Sequence, residues 1–197
     1  MPAERRMSVK ARADYGQRTR LHTMSDELTL RPVQEEDFVV VERLTAVPDA
    51  AGEFEWFGWR DNRVVRQRWE QNRLLAPERG MLIAEVGGEL AGFVFWRRAR
   101  ERASSYCFTI GIALVPEMQG RGHGTAAQRA LAQYLFLHTP VNRIEAETEE
   151  GNIAEQRALQ KAGFTREGVQ RSTVFRAGQW RNGVTYSILR AECPLPD

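Results

Sequence analysis

The residues Gln119-Gly120-Arg121-Gly122-His123-Gly124-Thr125 follow an apolar run and open a helical one, with glycine at every second position. Without a Cβ, the backbone there can approach a ligand closely. The first N–H groups of the following helix have no internal partners, and the helix dipole favours an anion at that end. On physical grounds this is a phosphate-binding device; the plain alternative is a glycine-rich strand–helix turn with no ligand. A nucleoside-triphosphate loop needs Gly-Lys-Ser/Thr at its end, and no lysine is present. A dinucleotide turn needs G-x-G-x-x-G, and Thr125 stands where its last glycine belongs. What remains is Gln119-x-x-Gly122-x-Gly124.

Other chemistry-bearing residues fall into two groups. Glu145, Glu147 and Glu149 alternate along a strand-like segment and so share one face; Glu147 is the middle candidate for a general base. Residues 48–60 hold Phe54, Trp56, Phe57 and Trp59, more aromatics than an ordinary exposed loop carries. Glu53, Glu55 and Asp61 beside them would attract a cationic amine. Cys107 and Cys193 are far apart and lack histidine at metal-ligand spacing, so neither a disulfide framework nor a metal site is expected. No Ser/His/Asp or Cys/His arrangement at recognisable spacing appears.

These groups need elements to position them. Strands are predicted over about 28–33, 81–86, 89–97, 105–114, 141–149, 164–175 and 183–191. Helices are predicted from Glu35 to before Pro48, from Asn62 to about Leu75, and over about 122–138 and 152–162. Gly87-Gly88 marks a hairpin turn, and a further turn covers residues 176–180. Phe38, Val41 and Leu44 form the inner face of the first helix, and Val65, Trp69 and Leu74 that of the second. The order predicts an α/β (α+β) fold: a mixed central sheet of about seven strands flanked by about four helices on both faces.

The 197 residues suit one domain at 27–197 preceded by a flexible Arg-rich tail at 1–26. Up to Met24 there are six basic and two acidic residues, a surplus of +4, against +2 for the whole chain. The domain itself is thus slightly acidic, which argues against a nucleic-acid partner. No apolar run approaches the about 18 residues of a membrane span, and the N-terminus lacks the apolar core of a secretory signal. A cytoplasmic protein, monomer or homodimer, is expected.

Gln119-x-x-Gly122-x-Gly124 resembles the acyl-CoA signature of the GNAT N-acetyltransferase superfamily, Gln/Arg-x-x-Gly-x-Gly/Ala. The resemblance covers about residues 27–191. Ile110-Gly111-Ile112-Ala113-Leu114-Val115-Pro116-Glu117 is similar to the family's fourth strand and its exit. Asn152, then Ala158-Leu159-Gln160-Lys161-Ala162-Gly163-Phe164, is similar to its Asn-led helix. Glu167-Gly168-Val169 and the turn from Phe175 to Trp180 resemble the RimJ/RimL branch, which acetylates ribosomal-protein N-termini and includes relatives acting on small molecules.

The resemblance implies an acetyl-CoA-dependent acyltransferase, without a metal, moving acetyl directly to a primary amine. The acceptor would be a metabolite or antibiotic amine, or a protein N-terminus. Ile112 and Leu114 would pair with the pantetheine arm. Gln119, Gly120, Arg121, Gly122, His123, Gly124 and Thr125 would wrap the pyrophosphate, and Asn152 would contact the pantetheine or the acetyl end while capping its helix. Phe54, Trp56, Phe57 and Trp59 would cover the acceptor. For proton transfer the candidates are Glu147 and Tyr106. Thr109 stands where relatives often place an acid, and Glu155 where many place a serine. A non-catalytic acyl-CoA-binding module on the same fold is the alternative.

Overall fold

The computed structural model describes residues 21–22, 28–102 and 105–195. Its strands are β1 (Leu21–His22), β2 (Leu28–Pro32), β3 (Leu75–Ala76), β4 (Arg79–Val86), β5 (Glu89–Arg102), β6 (Ser105–Leu114), β7 (Arg143–Glu149), β8 (Thr165–Arg176) and β9 (Gln179–Leu189). Its helices are α1 (Phe38–Ala46), α2 (Pro48–Ala51), α3 (Arg63–Asn72), α4 (His123–His138) and α5 (Ile153–Ala162). The expected strands and longer helices are all present; the two-residue β1 and β3 and the one-turn α2 are additional. Of the tail expected at 1–26, Leu21–His22 pairs with β2, and the rest lies outside the described residues. No helix among the described residues is long and apolar enough to cross a membrane.

One mixed sheet runs β1-β2-β4-β5-β6-β7-β9-β8, with β3 on β4. Its only parallel contact on that path is β6 with β7, and it is short, from Phe108 opposite Ile144 to Ile110 opposite Ala146. Beyond it β6 stays with β5 as far as Leu114, while β7 stays with β9 as far as Glu149. The sheet therefore opens as a wedge from Gly111 onward. Each face buries its own core. Phe108, Ile144 and Tyr186 of the sheet pack with Leu131 of α4 and Leu159 of α5, and Ile83 and Phe93 pack with Phe38 and Val41 of α1.

Local chemistry explains where the boundaries moved. Both turn residues of the Gly87-Gly88 hairpin have positive φ, as a two-residue primed turn requires. Ala177 and Gly178 do the same at φ 50° and 77°, so β9 begins at Gln179 rather than at 183. Pro48 in the first turn and the alanines after it close α2 inside the expected loop. The second long helix stops at Asn72, short of Leu75. Arg73 and Leu74 turn left-handed there, and Asn72 Oδ1 accepts the Leu74 N–H at 3.0 Å. Leu74 is still buried, but through that turn and not through a helix face.

Candidate active site

The wedge holds two cavities. The first, about 620 Å³, lies between the free stretch of β6 (Ile112 to Leu114), the glycine loop and α5. After β6 the chain makes a tight turn at Pro116–Met118, and Gln119 folds back so that its Nε2 donates to the Leu114 carbonyl at 3.0 Å. Gly120 and Gly122 take φ of 71° and 87°, and a Cβ at either would meet nothing within 4 Å. Glycine is needed there for backbone conformation, and the space beyond is open. Gly122 is the N-cap of α4, and no side chain among the described residues caps the helix. Its first N–H groups are thus left to a ligand.

Gly120, Gly122, Gly124, Thr125 and Asn152 line this cavity; the side chains of Arg121 and His123 do not. Asn152 also caps α5 by accepting the Glu155 N–H at 3.2 Å. Arg157 and Lys161, one helical turn apart on α5, bring positive charge to the same walls. The sequence reading missed both, although their spacing from each other puts them on one face. An open glycine cradle, an uncapped helix start and two cations fit the phosphate end of an acyl-CoA.

The second cavity, about 450 Å³, opens on the other side of the wedge. Phe54 and Phe57 reach it from the loop after α2, Thr109 and Gly111 from β6, Glu147 from β7, and Phe175 from β8. Trp56 and Trp59 do not line it. Trp56 borders a neighbouring surface depression, and Trp59 stands edge-on to it at 5.1 Å with 79% exposure. The loop is held down by Arg176, whose guanidinium lies over the Phe54 ring at 5.2 Å and reaches Glu53 at 3.7 Å. The two cavities share Phe54, Glu55, Ile112 and Glu155.

The acidic face of β7 divides. Glu145 is buried; burial raises its pKa, but hydrogen bonds from Arg100 (2.6 Å) and Arg143 (2.7 Å) outweigh that and leave it lowered. Glu149 is buried against Arg176 at 2.9 Å, and that hydrogen bond holds its pKa down. Glu147 faces the cleft without an ion-pair partner among the described residues. Tyr106 does not join the site. It lies near the other end of β6, with Arg98 over its ring at 3.9 Å and Phe108 against its edge, because the wedge opens only beyond Ile110.

Where the cavities meet, Glu55 and Glu155 stand near enough to repel. Burial pushes Glu155 to about 7, opposed by a 2.9 Å hydrogen bond from Gln128 Nε2. Burial and then the Glu155 charge push Glu55 to about 7, with Arg60 opposing. Glu55 remains reachable by solvent through the open cleft, while protein crowds its carboxylate from the other sides. Gln128 is 1% exposed, and its Oε1 has no hydrogen-bond partner among the described residues. Perturbed carboxyls in a cleft have the chemistry that proton transfer requires. Glu55 is legible in the sequence as an acid among aromatics, but its approach to Glu155 is not.

The family model described as "Acetyltransferase (GNAT) domain" matches residues 27–165. The chain belongs to the GNAT family. A probable N-acetyltransferase of Bacillus subtilis, YjcK, is 35% identical over 83 residues, covering 42% of this chain and 46% of the relative. The chain spans about half the length of the first curated relatives it matches. Among solved GNAT structures, RimL, a ribosomal L7/L12 α-N-protein acetyltransferase in complex with coenzyme A, superposes with TM-score 0.71. It is 20% identical over 86% of this chain and 97% of that one. A spermidine N-acetyltransferase from Vibrio cholerae, in complex with CoA and spermine, gives TM-score 0.70 at 17% identity, over 84% and 97%. These structural likenesses establish the mixed α+β GNAT fold.

Proposed function

We propose that this chain is an acetyl-CoA-dependent N-acetyltransferase that moves acetyl directly to a primary amine. The observation that carries the reading is the meeting of the two cavities at Ile112, Glu55 and Glu155. One side offers the cradle for phosphates, the other an aromatic, acid-rimmed space for a cation. Acetyl-CoA supplies the activated thioester and a thiolate leaving group. The free edge of Ile112 to Leu114 offers backbone groups to the pantetheine arm, and Gly120 to Thr125, Arg157 and Lys161 hold the phosphates.

The amine arrives as an ammonium ion and must lose a proton before it can attack. Glu147, which lines only the acceptor cavity, attracts the cation. Glu155 lines both cavities and accepts the proton, with Glu55 beside it. Burial brings both carboxyls to about 7, and the Glu155 charge adds to the shift of Glu55. Proximity of the aligned amine then supplies much of the rate. The aromatic walls fit an amine on an apolar body; a protein N-terminus and a polyamine, the acceptors named for the two relatives above, both meet that description.

The test is release of free thiol from acetyl-CoA against a panel of peptides, amino sugars, polyamines and aromatic amines. Turnover that Glu155→Gln lowers supports the reading. Stabilisation by CoA with no turnover on any amine favours the non-catalytic acyl-CoA module.

A further inference from the structure

We propose that the acceptor carries an anionic group as well as its amine, and that Arg68, Arg79 and Arg97 bind that group in a third cavity. This rests on the N-acetyltransferase reading above. The cavity, about 340 Å³, lies between α3 and the β4–β5 pair, with Val65, Met81 and Phe95 as its apolar surface. Phe95 and Arg97 line both this cavity and the acceptor cavity, so the two adjoin.

The arginines here differ from their neighbours. On α3, Arg66 is paired with Glu42 at 3.0 Å. On β5, Arg98 is paired with Glu101 at 2.8 Å and Arg100 with Glu145 at 2.6 Å. Arg68, Arg79 and Arg97 have no carboxylate at ion-pair distance among the described residues. Arg79 and Arg97 are moreover direct cross-strand partners. Like charges placed opposite each other destabilise a sheet, and an anion between them converts that repulsion into binding. Guanidinium groups take carboxylate or phosphate in a two-pronged geometry.

The register sets the length of the ligand. Arg97 lies opposite Thr109, and Thr109 opposite Glu145, so β5 and β7 are two strand spacings, about 10 Å, apart. Glu147 lies two residues further along β7, on the same face as Glu145. An acceptor with its amine toward Glu147 and Glu155 and its anion at Arg97 therefore separates the two groups by on the order of 10 Å. The apolar surface between suits an aromatic or aliphatic body.

Two arms test this. The first compares 4′-(aminomethyl)biphenyl-4-carboxylate, whose two ends match that separation, with its carboxamide as acceptors. The proposal expects kcat/KM to favour the acid by about tenfold or more, the weight of a charge-assisted hydrogen bond, and Arg79→Gln to remove most of that ratio. Equal use of acid and amide, or a ratio untouched by Arg79→Gln, overturns it. The second arm reads binding without turnover. Phenylacetate and benzyl phosphate should raise the thermal midpoint of the full chain, benzyl alcohol should not, and the Arg68→Gln/Arg79→Gln double variant should lose the shift. If no amine turns over, the enzymatic reading fails while this arm still decides the anion site. Equal shifts in wild type and double variant contradict it.

Discussion

Burial raises the proton affinity of Glu155, and burial together with the Glu155 charge raises that of Glu55, with consequences for both rate and stability. In its proposed role as proton acceptor Glu155 must be ionised, so kcat/KM should rise through pH 7. Glu155→Gln should cost about 100-fold or more in kcat and flatten the acid limb of the pH profile. Stability runs the other way. A carboxyl near 4.5 when unfolded and about 7 when folded holds its proton longer in the native state. Stability therefore falls as pH rises between those values, and the penalty is fully present above about 7. Glu155→Gln should raise the thermal midpoint relative to wild type at pH 8 and leave it nearly unchanged at pH 4. A second residue-scale pair contrasts a glycine whose backbone conformation excludes a side chain in the open cradle with one that has room for a methyl group. Gly122→Asp places a side chain at φ 87° and an anion in the cradle, and should abolish stabilisation by CoA. Gly124→Ala meets only Leu114 Cδ1 at 3.7 Å and should fold normally. The glycine spacing was readable because local backbone needs dictate it. The carboxyl pair was not, because it joins residues far apart in the chain, brought together only by the wedge and the loop over it.

At the level of elements, the short β6–β7 contact and the clamped loop build the cleft. Arg176 and Glu149 are both buried, and the same guanidinium holds Phe54 and Glu53. Truncating one partner leaves the other charge buried alone, so Glu149→Ala should destabilise by about 3–5 kcal/mol in denaturant unfolding. It should also weaken acceptor binding by freeing the loop. Arg143 with Glu167 is different. That pair pulls Glu167 down to about 2, with Ser187 assisting, but both side chains are partly exposed and its stabilisation is small. That contribution is present above about 4.5 and fades as pH falls toward 2. The seven longer strands were legible from alternation and turn residues, since their period reports burial directly. The end of α3 was not, because Arg73 and Leu74 adopt left-handed backbone that no residue type there announces. Nor was the removal of Tyr106 from the site, which depends on where β6 and β7 part.

For the molecule as a whole, the net charge of +2 conceals a basic segment before Met24 and a slightly acidic remainder. Cationic demand in the folded part is local, at the α4 start, Arg157 and Lys161. A donor bound there stabilises only the native state, so acetyl-CoA at 100 times its Kd should add about 2.7 kcal/mol. The claim that joins these scales is that donor and acceptor meet at Glu155. The measurement that tests it most directly is thiol release from acetyl-CoA with a competent amine, for wild type and Glu155→Gln, from pH 5 to 9. The account predicts a wild-type rate that rises through about pH 7, and a variant that still gains stability from acetyl-CoA but turns over at least about 100-fold more slowly without that rise. A variant with the wild-type rate and pH profile would contradict it.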